Sequence, residues 1–177
     1  MMRSDLEHLI RAAGKVVGER ELVIVGSQAI LGQFPSAPGV LSRSMGADVF
    51  PLSRPGLADK IDGAIGEGSA LHESFGYYAQ GVGPDTAVLP RGWRKRLVRI
   101  ENENTGGTAG LCLEVHDLAI SKYVAGREKD REFTQALARH AMTSRSVLLE
   151  RLAATKLDPP IRKLVQARIA RDFPGSG

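Results

Sequence analysis

The chain has 177 residues, 42% of them hydrophobic and 25% charged, which fits one globular domain with room for a helical appendage and is long enough to bury a core. A formal charge of +4 suits phosphate-bearing ligands but is no argument by itself for DNA binding. Cys112 is the single cysteine, so neither a disulfide framework nor a cysteine-built zinc site can form, and a reducing cytoplasm is the expected setting.

The N-terminal stretch MMRSDLEHLI carries charges where a secretory signal needs an apolar run, and no apolar stretch approaches the length of a membrane span. Ser4 to Val17 reads as an amphipathic helix, with Leu6, Leu9, Ile10 and Ala13 at helical spacing and Ser4 as its N-cap. ELVIV is a continuous apolar run ending at Gly26 and predicts a buried strand. SQAILGQF predicts a short helix broken by PSAPG, and ADVFP a second short strand stopped at Pro51. GLADKIDGAIG predicts a helix presenting Leu57, Ile61 and Ile65, and YYAQGVGPDTAVLP is loop-rich with strand pieces. KRLVRIENEN and GLCLEV predict two strands joined through Thr105 to Ala109, where Gly106-Gly107 signals a hairpin. From His116 the pattern is helical: HDLAISKYVAG ended by Gly126, KDREFTQALARHAM, TSRSVLLERLAAT capped by Thr143 or Ser144, and PPIRKLVQARIARDF with proline in its first turn. The expected organisation is α+β, with residues 1–115 an α/β core and residues 116–177 a helical C-terminal lobe, packed as one globular unit.

Four places could carry chemistry. Gly26-Ser27 follows a strand and opens a helix: glycine permits close backbone approach, serine offers a hydroxyl, and the helix start offers N–H groups, which together suit an anion. A plain turn explains the same two residues. Asp48 sits in a short apolar strand with Ala47 and Val49 on the opposite face, so its carboxylate must meet water, a cation or a ligand. Lys122, Arg127 and Lys129 are cations that could grip phosphate, and Asp130 could pair with them or hold a base; a solvated helix junction reads the same way. The cluster RGWRKR, with Trp93 inside it, could contact RNA or a phosphate tail, although a solvated turn between strands is the plainer reading.

The combination of a Gly-Ser turn after a strand, a short acidic strand and DLAISKYVAGREKD resembles the nucleotidyltransferase-like superfamily, most nearly its AbiEii-type bacterial members. The matching positions are Gly26, Ser27 and Asp48, then Leu118, Lys122, Ala125, Arg127, Lys129 and Asp130. The resemblance covers roughly residues 20 to 135. It implies a mixed sheet with flanking helices, followed by the helical lobe. It further implies that Gly26, Ser27, Lys122, Arg127 and Lys129 hold a nucleoside triphosphate in a cleft between the lobes, and that Asp48 binds magnesium. Lys122 would clamp phosphate, and Asp130 would orient it or assist the attacking hydroxyl. A nucleotidyl group would pass to an acceptor on RNA, protein or a small molecule, with a toxin–antitoxin setting and a cognate partner protein as further implications. In the family an acid stands two residues before the strand aspartate, and here that position is Gly46. Glu101, Glu103 or Glu114 could replace it; the alternative is a catalytically inactive nucleotide- or partner-binding module.

Overall fold

The computed structural model describes residues 1–175. The chain divides into two units. The first comprises Met1–Ala87 and Leu97–Glu114; the second comprises Val88–Arg96 and the described residues from Val115 onward.

The first unit is built on a five-stranded mixed sheet: β1 (Glu21–Ile24), β2 (Gly46–Pro51), β3 (Tyr78–Gly81), β4 (Val98–Ile100) and β5 (Ala109–Cys112), in the order β3-β2-β1-β5-β4. β1 is the central strand. Leu22, Val23 and Ile24 are buried on both faces, which is why the sequence there is apolar without alternation. It runs antiparallel to β2, with Ile24 opposite Val49, and parallel to β5, with Ile24 opposite Cys112. β3 joins the free side of β2 in parallel, and β4 closes the other edge antiparallel to β5.

Four helices belong to this unit: α1 (Arg3–Val17), α2 (Ile30–Gln33), α3 (Ala58–Ile65) and α4 (Ala70–Phe75). α1 buries Leu6, Leu9, Ile10 and Ala13, as their spacing requires. Its N-cap is Met2 rather than Ser4, because Asp5 at the third helical position accepts the Met2 backbone N–H at 2.6 Å. Ile61 and Ile65 are buried on α3, whereas Leu57 is half-buried in the 3-10 turn Pro55–Leu57 that precedes it. The connection between β4 and β5 is longer than a tight hairpin. Asn102 caps a 3-10 turn at Glu103–Thr105, and Gly106 and Gly107, at φ +59° and +85°, then return the chain.

The second unit holds α5 (Val115–Ala125), α6 (Glu128–Arg139), α7 (Arg145–Ala153) and α8 (Pro159–Asp172). Ser144 caps α7, its hydroxyl accepting the Val147 N–H. The segment Val88–Arg96, placed by local pattern with the strands, belongs instead to this helical unit. Its Arg91 N–H donates to the Ala154 carbonyl at 2.9 Å, and Arg96 donates twice to the buried Asp117 of α5. Glu114 ends no strand: β5 stops at Cys112 and α5 begins at Val115, so the expected strand alternation through Glu114 does not occur.

Candidate functional site

In the sheet unit, Gly26, Ser27 and Asp48 come together. β1 delivers the chain to Gly26, and a 3-10 turn, Ser27–Ala29, leads into α2. The Val25 N–H donates to the Asp48 carbonyl at 3.0 Å, which fixes β2 alongside the turn. A side chain on Gly26 would collide with Asp48 Oδ2, and its Cβ would lie 2.8 Å from the carboxyl carbon. The Asp48 carboxylate thus occupies the space that glycine leaves open. The helical run after the turn is short, three 3-10 residues and four α-helical ones, so any pull on an anion comes from local N–H groups more than from a macrodipole.

Gln28 completes this corner and was not singled out by the sequence. It is fully buried; its Nε2 donates to the Ser44 carbonyl at 2.8 Å, tying the Gly-Ser turn to the segment entering β2. Its Oε1 is buried with no hydrogen-bond partner among the described residues. A glutamine inside an apolar helical pattern was the available signal.

At position 46 the space beside the glycine is taken by a tyrosine ring. Gly46 pairs with Tyr78 across β2 and β3, and a Cβ at Gly46 would lie 2.7 Å from the Tyr78 ring. Burial pushes the Tyr78 hydroxyl above its ordinary pKa, and the negative charges of Glu67, Asp48 and Asp62 push it the same way. Of the three acids considered as replacements, Glu101 and Glu103 follow β4 at the far edge of the sheet, with β5 and β1 between β4 and β2, and Glu101 is paired with Arg99 at 2.7 Å. Glu114 lies two residues past the Ile24–Cys112 pairing, at the same end of the sheet as Gly26.

In the helical unit, Lys122, Arg127 and Asp130 come together. Gly126, at φ +63°, ends α5, and Arg127 is the N-cap of α6. Asp130, third in α6, has a fully buried side chain. Its Oδ2 accepts the Arg127 backbone N–H at 3.2 Å and Nε at 2.7 Å, and Lys122 Nζ stands 3.4 Å from Oδ1. Burial works to raise the Asp130 carboxyl, but the Arg127 hydrogen bond and the charges of Lys122 and Arg127 outweigh it and hold the group below the usual carboxylate range. Lys122 is buried along its length, with Nζ 5.5 Å from the centre of the Phe133 ring. Lys129 is exposed.

Local pattern did not reveal Asp117, which is fully buried and holds Arg96 in a two-pronged pair at 2.8 and 2.9 Å, with Arg151 Nε 3.5 Å away. Among the described residues, no group of three or more histidine, cysteine or acidic side chains gathers as a metal site. No helix among them is long and apolar enough to cross a membrane.

An α+β fold with a mixed sheet and flanking helices, a Gly-Ser turn set against a strand carboxylate, and a cationic α5–α6 junction define a nucleotidyltransferase-like protein. The family model described as a nucleotidyltransferase of unknown function, DUF6036, matches residues 4–162, and the chain belongs to that family. No curated protein and no solved structure matches the chain.

Proposed function

We propose that the chain binds a nucleoside triphosphate with magnesium and transfers its nucleotidyl group to an acceptor hydroxyl, on RNA, protein or a small molecule. The observation that carries this reading is the contact between Gly26 and the Asp48 carboxylate, a juxtaposition a plain turn does not need. Gly26 and Ser27 bring backbone and a hydroxyl to phosphate. Asp48 supplies the charged oxygen. In the helical unit, the proposed phosphate cations are Lys122, Arg127 and Lys129. Asp130 holds Lys122 and Arg127 in place, and its proposed role in the reaction is to orient phosphate or to assist the attacking hydroxyl.

Magnesium takes one or two carboxylates and completes its shell with water and phosphate oxygens. Asp48, with Glu114 at the same end of the sheet, fits a cation carried in on the triphosphate better than one held by protein alone. When bound, it would neutralise phosphate charge.

Glycine at position 46, which leaves Asp48 without a second acid on its own strand, favours a second reading, a nucleotide- or partner-binding module without transfer. The two separate in one series. Thermal shift with each triphosphate, with and without magnesium, measures binding, which raises the melting temperature by mass action. Label transfer from α-phosphate-labelled triphosphates measures activity. The proposal expects both in wild type and neither in Asp48→Asn. Binding without transfer selects the module, and transfer that survives in Asp48→Asn removes Asp48 from the reaction.

A further inference from the structure

We infer that the turn Arg91–Arg96 of the helical unit is a docking surface for single-stranded nucleic acid, with Trp93 as its stacking platform. Charge is divided unequally between the two units. Of the 24 lysines and arginines, 16 fall in the helical unit, against 7 of the 20 acids, so its formal charge is +9 and that of the sheet unit is −5. Many of the helical unit's cations are committed: Arg96 and Arg151 to Asp117, Lys122 and Arg127 to Asp130, Arg171 to Asp172, and Arg162 to the Leu152 and Thr155 carbonyls. Arg91, Arg94, Lys95 and Lys156 are exposed, and no ion pair among the described residues engages them.

The fold gathers these four. The Arg91 N–H bond puts the backbone of Arg91 beside Ala154, which is two residues before Lys156. At the other end of the turn, Arg96 is clamped on Asp117, and its Nη2 also donates to the Arg91 carbonyl at 3.2 Å, closing the turn on itself. Arg96 is thus a strut, and the cations beside it are presented on a fixed frame. Trp93 is half-buried, with the Arg94 guanidinium 5.3 Å from its ring centre. A flat aromatic bordered by unpaired cations suits alternating bases and phosphates, because the ring stacks on a base and the cations meet the backbone. An acidic peptide would use the charges and leave the indole idle. A duplex would hide the bases from it.

This goes beyond nucleotidyl transfer and is tested without triphosphate or magnesium. The full-length protein is titrated into fluorescein-labelled 12-nucleotide oligouridylate and oligothymidylate, and binding is read by fluorescence anisotropy. With four cations engaged, raising salt from 50 to 200 mM should weaken binding about 50-fold. Arg94→Gln with Lys95→Gln should lower the logarithmic salt slope by about 1.4. Trp93→Ala should weaken binding about tenfold, and Trp93→Phe should restore most of the loss. Circular dichroism melts accompany each variant; because Trp93 also supports the turn, the exposed Arg94/Lys95 pair decides the matter if Trp93→Ala unfolds. Tighter binding of uridylate identifies RNA as the ligand, equal binding identifies any single strand, and either supports the inference. Unchanged affinity and salt slope in the Arg94/Lys95 variant would overturn it. So would competition by polyglutamate as effective as by oligonucleotide, which would make the surface a protein-docking one.

Discussion

At Gly26 the backbone does not demand glycine: φ is −71°, a value any residue adopts, and the constraint is the carboxylate of Asp48 standing where a methyl would go. Gly26→Ala must therefore push Asp48 aside or move the turn. The expected outcome is a loss of about 1–3 kcal/mol of stability from overpacking, together with loss of any magnesium-dependent triphosphate binding. Gly39→Ala, where a Cβ meets open space, is the matched control and should change neither; thermal melts with and without ligand read both variants. Cys112 offers a second test at this scale. It is fully buried, and burial pushes its thiol up to about 12, so it stays protonated at neutral pH. A thiol-reactive dye should label it only as fast as the sheet unit opens, and should label it at once in denaturant.

Helix α1 is tied to the β4–β5 connection through one carboxylate. Glu7, almost fully buried, accepts from Arg3 at 3.0 Å and from the Asn102 and Asn104 side chains, both at 2.8 Å. Burial alone would raise its carboxyl, but these hydrogen bonds outweigh it and hold the group below its ordinary value. The stabilisation is thus complete above the unfolded carboxylate's pKa and is lost as pH falls through the lowered folded value. Glu7→Gln should cost about 1–3 kcal/mol at neutral pH and flatten part of the acid limb of a plot of melting temperature against pH. Gly81 sets a harder limit, because a Cβ there would collide with the Ala58 carbonyl oxygen and lie 2.6 Å from its carbon. Backbone cannot swing away as the Tyr78 ring at Gly46 can, so Gly81→Ala should melt lower than Gly46→Ala, a comparison calorimetry makes directly. Elements of this kind differ in how far sequence announces them. The apolar run of β1 and the helices from α5 onward were legible, because Gly126, Ser144 and Pro159 punctuate long periodic stretches. α4 was not: six residues are too few to show a period. β3 is an edge strand of four residues, and its parallel pairing with β2 follows from the α3 crossover rather than from any local pattern. At the candidate site, Gly26, Ser27 and Asp48 were legible as residue types, whereas Tyr78 beside position 46 was a long-range contact that no spacing encodes.

The chain passes between its two units at residues 87–88, 96–97 and 114–115, so the helical unit is not a tail. Ending the chain after Glu114 would remove both anchors of the segment Val88–Arg96, Asp117 and Ala154. In such a shortened chain trypsin should cleave between Arg91 and Arg96 at least about tenfold faster than in the full chain, as mass spectrometry of the first fragments would report. Equal rates would mean that the turn holds its shape without the helices. The family match from residue 4 to 162 spans both units. The same threading bears on synthesis at the ribosome. Arg96 leaves the exit tunnel before Asp117, which follows it by 21 residues, and Ala154 comes about 60 residues after Arg91. At about 5–20 residues per second, the nascent chain spends seconds with a tryptophan and a run of cations tethered to nothing, while the strands on either side of them are already made. Translation order, and not only final stability, therefore exposes this turn for seconds before its anchor at Ala154 exists.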